Sequence, residues 1–146
     1  MNVIKEGEAF LESVTRYALS YQHEFAREDY ASLKRLVEEN PLHVELAALL
    51  ARAAFAMAVS EDLSIAGNYM EDLETLRKRH SASYEIALTE LNALFYITMG
   101  LRLLCDSNRV IMPAVEVLCN EFFTLAEPHS GNAEVAKMIA DMRGKS

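Results

Sequence analysis

Residues 42–59 read LHVELAALLARAAFAMAV, and this stretch determines the expected fold class more than any other part of the chain. His43, Glu45 and Arg52 are its only polar side chains. Alanine has the highest intrinsic helix propensity, and a helix that is apolar on almost every side is packed by several neighbours. We therefore expect a buried central helix in an all-α fold, with small side chains that let other helices come close.

The composition agrees with a single helical domain over residues 1–146. The chain is long enough to bury a core, and 51% of its residues are hydrophobic while 25% are charged. It contains only five glycines and three prolines, which argues against the many turns of an all-β protein.

The formal net charge of −8 repels phosphate backbones, so we expect no nucleic-acid partner. The one basic cluster, residues 77–80, coincides with an expected helix end, where cations complement the helix dipole. We expect another protein as the partner instead.

Features of the chain also predict a soluble, cytoplasmic protein without membrane insertion. Cys105 and Cys119 lie in apolar surroundings without CxxC spacing, which predicts buried reduced thiols. The N-terminus turns acidic at once, unlike a signal peptide. The longest strongly apolar uncharged run, residues 91–101, is too short to span a bilayer.

Hydrophobic spacing and polar breaks predict about seven helices joined by short connections. Asp29 is expected to cap the second helix, Pro41 to begin the third, and Asp62 to cap the fourth. Short connections make successive helices antiparallel. The predicted elements are a first helix near 5–27, hairpins at about 5–39, 42–80 and 83–126, and a C-terminal helix at 133–142.

The same spacing assigns one set of side chains to the core and another to the solvent. Phe10, Tyr17, Tyr21 and Phe25 recur at helical intervals, which favours core positions on the first helix. The alternative is an exposed aromatic stripe that makes a homodimer. On the fourth helix, Glu71, Asp72 and Glu74 are expected to form the outer, solvated side.

The polar breaks resemble those of tetratricopeptide repeats. Asp29-Tyr30-Ala31-Ser32-Leu33 and Asp62-Leu63-Ser64-Ile65-Ala66 share the form D-[YL]-x-x-[LA]. Their separation is close to that family's period of about 34 residues. Pro41 and Pro128 are similar to the proline that closes such repeats. The resemblance implies an α-α superhelix whose concave surface holds a peptide or helix of a partner. An irregular α-helical bundle is the alternative.

Motifs for catalysis or metal binding do not occur in the sequence. None of the four histidines follows a Glu or Asp by three residues, and no HExxH, glycine-rich phosphate loop or GxSxG turn occurs. We therefore expect neither an enzyme nor a cofactor or metal site.

Two polar stripes at helical spacing indicate a binding surface. One follows the central helix, and the other follows the fifth helix; both would be first helices of hairpins and would line one groove. The candidate partner-binding residues are Glu45, Arg52, Glu85, Thr89, Asn92 and Tyr96. Arginine and tyrosine suit such contacts. Alternatively, Arg52 pairs with Glu45 or Glu85 inside the fold, since a buried unpaired charge is costly.

These observations favour a protein–protein interaction module, either an adaptor or a small chaperone that holds a segment of a partner. In size and charge the chain is similar to the small acidic helical-repeat chaperones of bacterial secretion systems. The alternative is an acidic immunity or inhibitor protein that neutralises a toxin or enzyme through charge complementarity. A small helical regulator or enzyme is the third hypothesis.

Overall fold

The computed structural model describes residues 2–110 and 112–144 and confirms the all-α prediction. Within these residues the chain forms seven α-helices and no strand. The helices are α1 (Val3–Leu19), α2 (His23–Glu39), α3 (Val44–Ser60), α4 (Leu63–Arg79), α5 (Tyr84–Asn108), α6 (Pro113–Ala126) and α7 (Ala133–Met142). A 3₁₀ turn, Glu127–His129, follows α6.

The chain divides into two compact units, Met1–Glu90 and Leu91–Ser146. The first contains α1 to α4 and the beginning of α5, and the second contains the rest of α5 with α6 and α7. The assignment of residues 1–146 to one domain stays a prediction.

Helix α3 is the centre of the first unit, as its sequence predicts. It packs against α1, α2 and α4, and most of its side chains are buried. Helix α1 approaches α3 closely at Gly7, because a Cβ atom there would lie 2.6 Å from Cδ1 of Leu46. The alanines of α3 and this glycine therefore let the helices pack tightly. The exposed positions of α3 include Glu45 and Arg52, so the helix is not enclosed on every side.

The turn of the first hairpin lies earlier than predicted. Helix α1 ends at Leu19 rather than near residue 27, and Asp29 lies inside α2 instead of capping it. Tyr21 adopts a positive φ of 58°, and the amides of Tyr21 and Gln22 donate to the carbonyls of Ala18 and Tyr17. This is the Schellman arrangement, which ends a helix without any proline.

Because the first turn lies earlier than predicted, corresponding helices of the first two hairpins are farther apart in the sequence than the two polar breaks predict. Helices α1 and α3 begin at Val3 and Val44, and helices α2 and α4 begin at His23 and Leu63. Both separations exceed the period of about 34 residues that the repeat family shows. Because Asp29 lies within a helix and Asp62 is an N-cap residue, the two motifs are not structurally equivalent.

The central helix also begins later than predicted. Pro41 and Leu42 belong to the turn before α3, and the Leu42 side chain is 88% exposed. His43 is the N-cap residue, and its Nδ1 accepts from the amide of Leu46 at 3.4 Å. The imidazole of His43 therefore caps the helix, and Pro41, which was expected to begin it, lies three residues before the first helical residue, Val44.

The aromatic line assigned to the core is partly exposed. Phe25 belongs to α2, where its ring contacts that of Tyr17 with centroids 5.3 Å apart. Phe10 and Tyr17 are half-buried, whereas Tyr21 is 81% and Phe25 51% exposed. The core prediction is wrong for Tyr21 and Phe25 because the chain turns between them.

The second unit contains a smaller core around Phe122. This fully buried ring lies 6.0 Å from that of Phe95 between centroids, which brings α5 and α6 into contact. Arg102 of α5 donates to the carbonyl of Met142 in α7. Cys105 and Cys119 are free thiols, and both are half-buried rather than buried as predicted.

Among the described residues, α5 is the one helix with the length and composition to cross a membrane. Its most apolar window has a mean hydropathy of 1.2, and 39% of that window is buried. A core helix of a soluble protein meets the same criterion, so this is weak evidence for a span.

Candidate partner-binding groove

The first unit has a groove around Arg52, formed by α1, α3 and the first turn of α5. Its volume is about 190 Å³. The lining residues are Ile4, Glu8, Glu45, Ala48, Leu49, Arg52 and Glu85. The structure thus brings together Glu45, Arg52 and Glu85 from the predicted set. Each lining helix is one that the sequence predicted as the first helix of a hairpin.

An ion pair lies in this groove, because the guanidinium of Arg52 donates to the carboxylate of Glu85. The pairing of Arg52 with Glu85, one of the two expected partners, is therefore present in the structure. Both side chains are nevertheless about half exposed, 55% for Arg52 and 52% for Glu85. An ion pair in such a setting stabilises a fold by at most about 1 kcal/mol.

The charge of the groove is unbalanced. Glu8, Glu45 and Glu85 contribute three carboxylates, and Arg52 is the only cation among the lining residues. Ile4, Ala48 and Leu49 form an apolar floor between them. The groove can therefore accept a group that has an aliphatic stem and a positive end.

The remaining predicted residues follow along α5. Thr89 belongs to the first unit; it is half-buried, and its hydroxyl donates to the carbonyl of Glu85 at 2.8 Å. Asn92 and Tyr96 belong to the second unit, where Asn92 is half-buried and Tyr96 is 59% exposed. A groove shared by these two residues and Arg52 stays a prediction.

The sequence reading missed a second polar cluster, which centres on the buried carboxylate of Glu61. Arg27 donates two hydrogen bonds to it, at 2.6 and 2.9 Å. Tyr69 donates a longer one at 3.5 Å, and Nδ1 of His23 lies 3.7 Å away. The hydrogen bonds from Arg27 hold the pKa of Glu61 below its ordinary value of 4.5, although burial opposes this.

A related cluster surrounds Asp72, which contradicts the prediction of a solvated side chain there. The hydroxyl of Tyr30 donates to Asp72 at 2.6 Å, and Lys34 donates at 3.0 Å. Burial first and the charge of Asp72 second raise the pKa of Tyr30 well above its ordinary value of 10. The Tyr30 ring meets that of Tyr69 edge to face, with centroids 5.0 Å apart.

A sequence signal for these two clusters exists. His23, Arg27, Tyr30 and Lys34 follow one another at intervals of four, three and four residues, which places them on one face of α2. The misplaced boundary at residues 27–29 divided this stripe between two predicted helices. Arg27 donates to Glu61, and Tyr30 and Lys34 donate to Asp72, while Nδ1 of His23 lies near Glu61. We therefore interpret the stripe as structural.

The basic cluster at residues 77–80 lies at the end of α4, as predicted. Arg77 donates to the buried carboxylate of Glu90, and Lys78 pairs with Glu74 at 2.7 Å. His80 is the C-cap residue; burial first and Arg79 second lower its pKa below 6.5.

Within the described ranges, 2–110 and 112–144, no group of three or more His, Cys, Asp or Glu side chains could hold a metal ion. A larger opening of about 600 Å³ is lined by the six consecutive residues 40–45. One continuous stretch of chain lines this opening, whereas three helices line the Arg52 groove.

Comparison with protein-family models, curated proteins and solved structures gives no significant match. The resemblance to tetratricopeptide repeats therefore stays a prediction.

Proposed function

We propose that this protein is an interaction module that holds a basic segment of a partner protein in the Arg52 groove, as an adaptor or small chaperone does. One observation supports this above all. Three helices contribute to one groove, and its lining contains three acidic side chains and a single, half-exposed arginine.

The size of the groove favours a side chain of a polypeptide over a free small molecule. Sites for drug-sized ligands have volumes of roughly 300–1,000 Å³. The groove, at about 190 Å³, is smaller and open to solvent at Arg52 and Glu85. A lysine or arginine side chain fits both this volume and the acidic lining, whereas an acidic segment would meet like charges.

The Arg52–Glu85 ion pair can open at low cost, because both partners are half exposed and regain water when they separate. A cation of the partner can then bind Glu85, and Arg52 becomes available to a carbonyl or carboxylate of the same segment. The guanidinium provides forked donors for that contact.

Charge reversal tests the proposal. Glu45→Lys and Glu85→Lys are compared with the wild type in affinity capture from the native cell, read by quantitative mass spectrometry. We expect the wild type to retain a partner with a basic segment. Each variant should capture at least about tenfold less of that partner, because an attraction between opposite charges becomes a repulsion between like charges. Melting temperature and helix content should stay near wild type, since both residues are exposed.

Glu121→Lys is the matched control, because Glu121 is an exposed residue of α6 and the change in net charge is the same. It should retain the partner. Capture by the wild type should also weaken as salt rises from about 0.05 to about 0.5 M, because salt shortens the range of the attraction between exposed opposite charges. Equal capture by the wild type and both groove variants would contradict the proposal.

The net charge of −8 also suits an inhibitor of a basic protein. The captured partner distinguishes the two functions. An adaptor leaves the partner's own activity intact, whereas an inhibitor abolishes it at equal molar amounts, as an assay of the purified pair would measure.

A further inference from the structure

The first unit has a second cavity, which is lined by α2, α3 and α4 and has a volume of about 200 Å³. From α3, Leu50 contributes to the lining. Leu50 is two residues away from both Ala48 and Arg52 in the sequence, so at about 3.6 residues per turn it lies on the opposite side of the helix. The cavity is therefore separate from the Arg52 groove, and α3 lies between the two.

The apolar wall of the cavity belongs to the core of the unit. Val37 is 1%, Leu50 3% and Leu76 3% exposed, and each comes from a different helix. A wall of this kind binds the aliphatic part of a ligand, while a few polar groups around it determine which ligand is accepted.

One pair of opposite charges in the lining is joined. Lys34 of α2 donates to Asp72 of α4 at 3.0 Å, and Tyr30 donates to the same carboxylate at 2.6 Å. The contacts Arg27–Glu61 and Lys34–Asp72 follow one another in the same order along both helices, so α2 and α4 run in the same direction. Asp72 has its donors within the fold and needs none from a ligand.

A second pair of opposite charges lies further along the same two helices. Glu38 follows Lys34 by four residues and Arg79 follows Asp72 by seven, and both line the cavity. At about 1.5 Å per residue, Glu38 and Arg79 lie within roughly 5 Å of each other along the helix axes. Both are exposed, and neither forms an ion pair with another residue of the ranges 2–110 and 112–144. This second pair is therefore open to a ligand.

We propose that the cavity binds a free α-amino acid with a small aliphatic side chain, such as valine. The guanidinium of Arg79 donates to the carboxylate of the ligand, and an arginine fork does so through two parallel hydrogen bonds. The ammonium group of the ligand donates to Glu38. Its side chain packs against the wall formed by Val37, Leu50 and Leu76.

The charges of the cavity favour a zwitterion over a ligand of one sign. Two cations and two carboxylates line it, whereas three carboxylates and one cation line the Arg52 groove. An amine or a carboxylic acid alone would make one of the two ionic contacts. A residue inside a polypeptide carries neither the ammonium nor the carboxylate group, so the cavity selects the free molecule.

The volume of the cavity limits the size of the ligand. About 200 Å³ equals roughly seven water molecules at about 30 Å³ each, which suits a molecule the size of valine. Because Glu38 and Arg79 are exposed, each ionic contact is weak. We expect a dissociation constant on the order of 1 mM.

Titration of the full chain with L-valine, followed by two-dimensional amide NMR, tests the proposal. We expect saturable shifts of the amides near residues 38 and 79. Isobutylamine lacks the carboxylate of valine, and isovalerate lacks the ammonium group. Each should bind at least about tenfold more weakly than L-valine, because it makes one ionic contact instead of two.

Two variants identify the site. Arg79→Gln and Glu38→Gln should each raise the dissociation constant for L-valine at least about tenfold. Arg35→Gln and Glu39→Gln are the matched controls, because they remove the same charges from exposed positions of α2 outside the cavity lining and should bind like the wild type. All four should melt near the wild-type temperature without ligand, since the positions are exposed.

Glu85→Lys, which tests the Arg52 groove, should bind L-valine normally, so the two proposals can fail separately. Three results would overturn the amino-acid site. The first is no saturable shift at L-valine concentrations up to about 20 times the expected dissociation constant. The second is equal binding of isobutylamine or isovalerate, and the third is wild-type affinity in Arg79→Gln or Glu38→Gln.

Discussion

Glu61 shows how a single buried carboxylate can determine the geometry at one end of a helical unit. Its side chain is 3% exposed and follows α3, and its principal partner Arg27 lies in α2. A carboxylate in this position is stable only with charged hydrogen-bond donors around it, which Arg27 provides. The pair therefore fixes the start of α2 against the turn between α3 and α4.

Substitution of Glu61 by glutamine should lower the free energy of unfolding by about 1–2 kcal/mol, because the amide loses the charge and keeps only one acceptor oxygen for Arg27. The figure is small because Arg27 is half exposed and regains water. Chemical denaturation at neutral pH measures it. Glu28→Gln, at an exposed position of α2, should leave the stability unchanged.

The stabilisation by Glu61 should also depend on pH in one direction. The pKa of Glu61 is lowered in the folded state, so the unfolded chain binds the proton more readily. The stabilisation is therefore complete above about pH 4.5 and disappears as the pH falls through the folded-state pKa. Thermal melting between about pH 7 and pH 3 should show the wild type and Glu61→Gln converging in acid. A difference that stays constant over this range would contradict the assignment.

At the scale of elements, the sequence predicts the number of helices better than the boundary between α1 and α2. Capping residues and the proline of α6 lie near the predicted breaks, and Ser83 accepts from the amide of Ile86 as a cap should. The turn at residues 20–22 has no glycine or proline, so it lacks the usual signal. Asp29-Tyr30 looks like a cap in the sequence, but Tyr30 needs a helical position to reach Asp72.

Tyr21 makes this turn testable. A left-handed residue with a Cβ atom is strained, and the Tyr21 ring is 81% exposed, so little burial offsets the strain. Tyr21→Gly should raise the free energy of unfolding by about 0.5 kcal/mol, after the greater freedom of glycine in the unfolded chain is subtracted.

Gln22→Gly serves as the control in equilibrium denaturation, because Gln22 has a φ of −99° and gains nothing from glycine. Its stability should be unchanged or lower. A lower stability for Tyr21→Gly than for the wild type would show that the ring, through its contact with His23 or otherwise, contributes more than the backbone strain removes.

At the scale of the whole molecule, the sequence identifies part of the candidate groove. Glu45 and Arg52 share one helix, so their common face follows from helical spacing. The contact of Arg52 with Glu85 joins two helices that are distant in the sequence, and spacing alone gives Glu85 only as one candidate partner. Glu8 and Ile4 of α1 complete the groove through packing at Gly7, a tertiary contact that no local pattern predicts.

The division into two units predicts that the first unit folds on its own. The fragment 1–90 contains α1 to α4 together with both acidic partners from α5, Glu85 and Glu90. Domains of this size commonly fold alone. We therefore expect the fragment to unfold cooperatively and to keep the groove with its Arg52–Glu85 ion pair, which a circular-dichroism melt and charge-reversal capture can measure.

A fragment ending at residue 82 provides the comparison, because it lacks Glu90, whose carboxylate is 4% exposed against Arg77, and the fully buried Ile86. Removing buried partners of this kind costs several kcal/mol, so its melting temperature should fall by roughly 10 °C or more relative to the fragment 1–90. If the fragment 1–90 has no cooperative transition while the full chain unfolds in a single one, the 146 residues form one domain, as the composition predicts.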